Sequence, residues 1–179
     1  MLNRLEAVLV IVDIQEKLFR VMKRQESLIG NTIKLIQGFQ ALDIPILVTE
    51  QIPAKIGPTI PEISEKLAGV SPVAKESFSC WGEPAFRSRL ESLNRRQVVL
   101  TGIECHVCVY QTALDLMANG YSVHPVTDTV SSRTSANRKI GLSSMKSAGA
   151  HLTSTETVLF ELLRTAACPQ ARNIFKIVK

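Results

Sequence analysis

Three residues of this chain carry a reactive side chain at the end of an apolar run: Asp13 after Ala7–Val12, Lys75 after Pro72–Ala74, and Cys108 in Gly102-Ile103-Glu104-Cys105-His106-Val107-Cys108, where the run Gln97–Gly102 closes. A cysteine attacks as the thiolate, and in the first turn of a helix the unpaired backbone N–H groups and the helix dipole favour that form. An ammonium from Lys75 beside it would lower the thiol pKa further. Asp13 supplies the base that accepts the thiol proton and later activates water. Alone, each residue has a bland role: Asp13 as a helix cap, Lys75 as a surface base, Cys108 as a small buried hydrophobe. Together they place three complementary chemistries on one edge.

That edge exists only if the runs are parallel strands. Short apolar runs alternate with helical patterns along the chain, the mark of a parallel sheet covered on both faces. Candidate strands are Ala7–Val12, Pro45–Thr49, Pro72–Ala74, Gln97–Gly102, Tyr121–Thr127 and Ala150–Thr153. The expected fold is α/β: three layers, α/β/α, around a six-stranded, mostly parallel, doubly wound sheet. Right-handed crossovers bring the carboxyl ends of its strands to one edge, where ligands bind. Helices are expected over Ser27–Leu42 (apolar face Leu28, Leu35, Ile36, Phe39), Pro84–Leu93 and Val107–Asn119. Another begins near Ser135 and ends before Gly149, and a last one follows Ser154 or Thr155. Glu50–Pro61, with Pro53, Gly57, Pro58 and Pro61, reads as an irregular binding loop, and the tail from Pro169 as a cap on a sheet edge or a subunit contact.

The composition fits one domain spanning residues 1–179, since 179 residues at 45% hydrophobic can bury one substantial core but not two. The net charge of +5 raises the question of an anionic partner. Arg87, Arg89, Arg95 and Arg96 are interleaved with Glu83 and Glu91, which reads as a solvated helix face, so no nucleic-acid partner is expected. Arg4 before Ala7–Val12 superficially resembles a signal peptide, but Asp13 and Gln15 interrupt it, and no run reaches membrane-spanning length. Cys80, Cys105, Cys108 and Cys168 without a secretory pattern imply free thiols and a cytoplasmic protein.

Val-Ile-Val-Asp-Ile-Gln at 10–15, Lys-Glu-Ser-Phe-Ser at 75–79 and Thr-Gly-Ile-Glu-Cys-His-Val-Cys-Val-Tyr-Gln-Thr-Ala at 101–113 resemble, in order, the three signature segments of isochorismatase-like cysteine hydrolases. Thr-Glu-Gln at 49–51 and Gly-Pro-Thr-Ile-Pro-Glu at 57–62 are most similar to the subgroup of isochorismatase domain-containing proteins. The resemblance implies a catalytic triad of Asp13, Lys75 and Cys108, a cis peptide at Ile103–Glu104, an oxyanion hole from the N–H groups of Glu104 and Cys108, and homo-oligomers. Nicotinamidases of that superfamily carry an Asp-x-His and a further His for a metal. Here His106, His124 and His151 do not follow that pattern, so neither a metal nor another cofactor is expected. Isochorismatases proper need no cysteine nucleophile, so Cys108 points to hydrolysis of a C–N bond through a thioester, on a small-molecule substrate.

Two other classes compete. Cys105 and Cys108 form a C-x-x-C suited to thiol redox chemistry, but that leaves Asp13 and Lys75 without roles. A non-catalytic interaction module on a hydrolase fold is the other. Gln15, Gln51, Phe78 and Trp81, near the expected edge, are the candidate substrate contacts.

Overall fold

The computed structural model describes residues 1–179. At its centre is β1 (Ala7–Val12), every residue of which is wholly buried. Ala7, Leu9 and Ile11 face one helical layer, and Val8, Val10 and Val12 face the other. A strand apolar at every position requires cover on both sides, which fixes its central place. Each of its larger side chains contributes about 1.5–3 kcal/mol by leaving water.

From β1 the chain runs through α1 (Glu16–Phe19) and α2 (Gln25–Ala41) to β2 (Ile46–Gln51). Two one-turn helices, α3 (Pro53–Ile56) and α4 (Pro61–Ser64), lead to β3 (Val73–Lys75), and a 3-10 turn (Cys80–Gly82) with α5 (Pro84–Ser92) leads to β4 (Gln97–Ile103). A π-helical turn (Cys105–Val109) continues into α6 (Tyr110–Ala118), followed by β5 (Ser122–Ser131), α7 (Ser135–Ser147), α8 (Thr155–Leu163) and α9 (Ala171–Val178). All strand pairs are parallel in the order β3-β2-β1-β4-β5. Helices α2, α8 and α9 pack on one face, and α5, α6 and α7 on the other. The strand order reverses between β1 and β4, which opens the crevice that α/β folds use for ligands.

The sheet has five strands where six are expected. Residues 150–153 do lie beside β5, with His151 N donating to Val123 O at 2.9 Å and Thr153 N to Pro125 O at 3.0 Å. Pro125 has no N–H to return, so the ladder fails and only the bridge Val126–Thr153 forms. Strand β5 in turn runs to Ser131, past the expected end at Thr127, because a bulge between the pairs Leu100–Pro125 and Gly102–Val130 lets it resume pairing. The stretch expected to be irregular after Glu50 contains α3 and α4, each with a proline at its start, where the missing N–H costs nothing. The tail forms α9, whose Ala171 and Ile174 are buried in the core beside α2 and α8.

Candidate active site

Strands β1, β2, β3 and β4 end side by side, and the carboxyl edge they form assembles the site. Gly102 lies so close to β1 that a Cβ there would stand 2.1 Å from Val12 O, and its φ of 124° suits glycine alone. Asp13 leaves β1 with a φ of 51°, a left-handed conformation that aspartate tolerates better than most residues. Lys75 is the last residue of β3, and Cys108 lies in the π-helical turn after β4. The bond Ile103–Glu104 is cis, as the resemblance implies.

Asp13 is wholly buried and Lys75 is 2% exposed. Asp13 Oδ2 lies 2.7 Å from Lys75 Nζ, and Asp13 Oδ1 accepts from Thr49 Oγ1 at 2.8 Å. The ammonium has three protons. It donates to Gln51 Oε1 at 2.7 Å and to the carbonyls of Ser77 and Phe78, each at 3.0 Å. Asp13 Oδ2 is held by the charge of Lys75. The Cys108 thiol lies near enough to the Asp13 carboxylate and the Lys75 ammonium for both to shift its ionisation.

Two amides brace the cluster. Gln15 Nε2 donates to the carbonyls of Gln51 at 3.0 Å and Gly57 at 2.6 Å, while Gln51 N donates to Gln15 Oε1 at 2.7 Å. Gln51 Nε2 donates to Glu76 O at 2.6 Å. Glu104 holds the turn before Cys108, its carboxylate accepting from Arg133 N and Nε at 3.0 and 3.1 Å. The backbone N–H of Glu104 donates to no acceptor in the chain.

A family model described as the isochorismatase domain matches residues 7–157. The chain belongs to that family. Isochorismatase domain-containing protein 2A of Mus musculus is 37% identical over 174 residues, 97% of this chain and 82% of the relative. A Caenorhabditis elegans structure described as MAR1 ribonuclease is 35% identical with a TM-score of 0.93, covering 99% of this chain and 91% of that one. The YcaC gene product of Escherichia coli, described as an octameric hydrolase of unknown specificity, shares the fold at 22% identity and a TM-score of 0.91, over 98% and 89% of the two chains. Membership of this family of isochorismatase-like hydrolases supports a hydrolytic function.

Within the isochorismatase domain, the protonation states differ from those expected of a helix-terminal cysteine. Burial pushes the Cys108 thiol up to about 12, the Asp13 carboxylate adds to that, and Lys75 opposes it without prevailing. Burial likewise raises Asp13 against the pull of Lys75. Burial works to lower Lys75, but Asp13, with help from Cys80 and Cys108, carries it upward. The carboxylate neighbour thus favours the charged form of Lys75, and burial favours the thiol form of Cys108, against the thiolate that helix position and Lys75 alone would favour.

Of the four candidate substrate contacts, Gln15 and Gln51 are buried braces whose amides are spent on the chain itself. The Phe78 carbonyl binds Lys75, and its ring is 55% exposed. Trp81 does not join the cluster: its ring packs edge-on against Tyr121, with centroids 5.7 Å apart. Two participants escaped the sequence reading. Thr49 bonds Asp13, and the wholly buried Cys80 lies 3.6 Å from Thr49 Oγ1. A hydroxyl near the end of an otherwise apolar strand is the one signal that marked Thr49. His106 shares a hydrogen bond with Ser132 Oγ at 3.0 Å, and Cys105 Sγ donates to Arg138 O at 3.6 Å.

Proposed function

We propose that this domain hydrolyses a carbon–nitrogen bond of a small amide through a thioester on Cys108, with residues 1–179 acting as one hydrolase domain. The observation that carries the reading is the buried meeting of Asp13, Lys75 and Cys108 at the point where the strand order reverses. In the first step, Asp13 takes the thiol proton as sulfur attacks the carbonyl carbon. The N–H groups of Glu104 and Cys108 receive the developing oxyanion. Asp13 then passes the proton to the departing amine as the C–N bond breaks, leaving an acyl-cysteine. Water, deprotonated by the same carboxylate, attacks the thioester, and the proton returns to sulfur as the acid leaves. Lys75 holds the Asp13 side chain in place and favours its ionised form before each proton transfer.

The test compares wild type with Cys108→Ala across a panel of small amides, with mass spectrometry of the intact protein. Turnover by wild type, an acyl mass on Cys108 and neither in the variant are expected. No turnover and no adduct for any amide would sink the reading and leave a non-catalytic module. A Cys105–Cys108 disulfide cycling under mild oxidant and reductant would favour the redox alternative instead.

A second reading comes from the Caenorhabditis elegans relative described as a ribonuclease. The same preparations incubated with single-stranded RNA separate the two: cleavage abolished by Cys108→Ala would replace the amide reading. Four free cysteines support a reducing compartment such as the cytoplasm, and no helix is long and apolar enough to cross a membrane. We read the chain as a homo-oligomer, as the Escherichia coli relative is described to be. Sedimentation velocity showing only monomer would overturn that.

A further inference from the structure

The opposite edge of the sheet holds a cavity that the proposed hydrolytic chemistry leaves unused. Arg95 and Arg96 stand just before β4 and Tyr121 just before β5, at the amino ends of these strands. With β4 seven residues long, these three residues stand about 20 Å from the carboxyl edge, while Trp81 reaches them from the turn whose Cys80 lies 3.6 Å from Thr49 Oγ1. Trp81 completes a cavity of about 340 Å³ with these residues, Glu91 and two asparagines, Asn94 and Asn119.

The two aromatic rings meet edge-on, and one guanidinium lies over the second ring. Tyr121 is 6% exposed. It meets the Trp81 ring on one side, and the Arg96 guanidinium lies over its face, 5.1 Å from the centroid. A guanidinium stacked on a ring keeps its in-plane N–H fork free to receive a carboxylate in bidentate fashion. Arg96 has no carboxylate partner in the chain, whose ion pairs engage Arg4, Lys75 and Arg133. Arg95 is immobilised through Nη1, which donates to Arg4 O at 2.6 Å and Ala7 O at 2.9 Å, so a second cation is held at the rim. The Trp81 backbone is also tied down, its N–H donating to Ser79 Oγ at 3.2 Å and its carbonyl accepting from Arg87 Nη1 at 2.5 Å. Two cations against the single charge of Glu91 make the lining net positive.

We infer that this cavity is a second binding site, independent of Cys108, for a small planar aromatic carboxylate whose ring packs against Trp81 and whose carboxylate is forked by Arg96. Asn94 offers its amide to polar substituents on the ring, and Asn119, whose Nδ2 donates to Asp115 O at 2.8 Å, offers its Oδ1. Size, the Trp81 ring and an unpaired guanidinium together select this class over aliphatic anions or neutral aromatics.

Trp81 is the sole tryptophan of the chain, so its emission reports on this cavity alone. The probe is benzoate, with benzamide and acetate as controls, in titrations excited at 295 nm and repeated by calorimetry. A saturable response to benzoate is expected, at least tenfold weaker for benzamide and for acetate. Arg96→Ala should weaken benzoate binding at least tenfold while leaving the far-ultraviolet spectrum and hydrolysis unchanged. Tyr121→Phe, which keeps the ring, should retain binding. No saturable signal by either method, equal response to benzamide, or undiminished binding by Arg96→Ala would overturn the site. So would Trp81 emission that a soluble quencher cannot reach in an oligomer, since a second copy would then fill the cavity.

Discussion

Burial first and the Asp13 carboxylate second push the Cys108 thiol up to about 12, and Lys75 resists both. In the proposed mechanism nucleophilicity is therefore generated during attack, by proton transfer to Asp13. This separates two quantities that usually travel together. Replacing Asp13 with Asn removes a negative charge that raises the thiol, leaves the Lys75 charge that lowers it, and deletes the base. Thiol ionisation, followed at 240 nm as a difference from Cys108→Ala, is expected to shift to lower pH in Asp13→Asn. Amide turnover by the same variant should fall by about 10²–10⁴. A thiol pKa that rises, or turnover that survives, contradicts the assignment of Asp13 as base. The variant also strands a buried ammonium, which costs about 3–5 kcal/mol, so its denaturation midpoint is measured alongside.

Among elements, α7 packs directly on the turn that carries Cys108. A Cβ on Gly141 would stand 2.7 Å from Cys105 O and 2.9 Å from His106 Cα, backbone atoms that cannot rotate away. Gly141→Ala is expected to destabilise the fold by about 1–3 kcal/mol and to lower kcat more than it changes KM, because the turn carrying Cys108 has to shift. Gly30 in α2, where a methyl group would point into open space, is the control: Gly30→Ala should stabilise by about 0.5–1 kcal/mol with activity unchanged. Urea denaturation and steady-state kinetics on both variants check this, and a fully active, fully stable Gly141→Ala would free the turn from α7. The same elements show what the sequence could convey. The placing of Asp13, Lys75 and Cys108 at one edge was legible because each stands at or just beyond the end of a strand, and the carboxyl ends of parallel strands lie together. The destination of Trp81 was not, because it depends on a tertiary bond, Cys80 N to Thr112 Oγ1 at 2.9 Å, which draws the 3-10 turn down along α6. A π-helical turn has the same apolar spacing as the start of an α-helix, so Val107–Asn119 reads as one helix. The sixth strand failed on the single missing N–H of Pro125, invisible to a hydrophobicity pattern that scores proline's neighbours as strand.

The stability of the whole molecule towards acid should hang on a histidine remote from the nucleophile. His124 on β5 is 5% exposed, shares a hydrogen bond with Ser122 Oγ at 3.0 Å, and has its ring centroid 5.1 Å from that of His151. Burial first, then His151 and the terminal amine, lower it to about 4, while Glu161 opposes them. A histidine depressed in the folded state is neutral there while the unfolded chain, titrating near 6.5, takes up a proton. Its contribution is therefore complete above pH 6.5 and is lost as the pH falls towards 4. Asp13 has the opposite sign: its carboxyl is raised on folding, so acidification relieves the cost of its buried charge. A simple pH profile of wild type mixes the two. His124→Gln leaves Asp13 untouched, and the difference between the two proteins isolates the histidine. Between pH 7 and 4.5, wild type should lose about 2 kcal/mol more unfolding free energy than His124→Gln, allowing for some solvent screening. Urea denaturation at both pH values measures it, and parallel pH dependences for the two proteins would show that His124 titrates alike in the folded and unfolded chains.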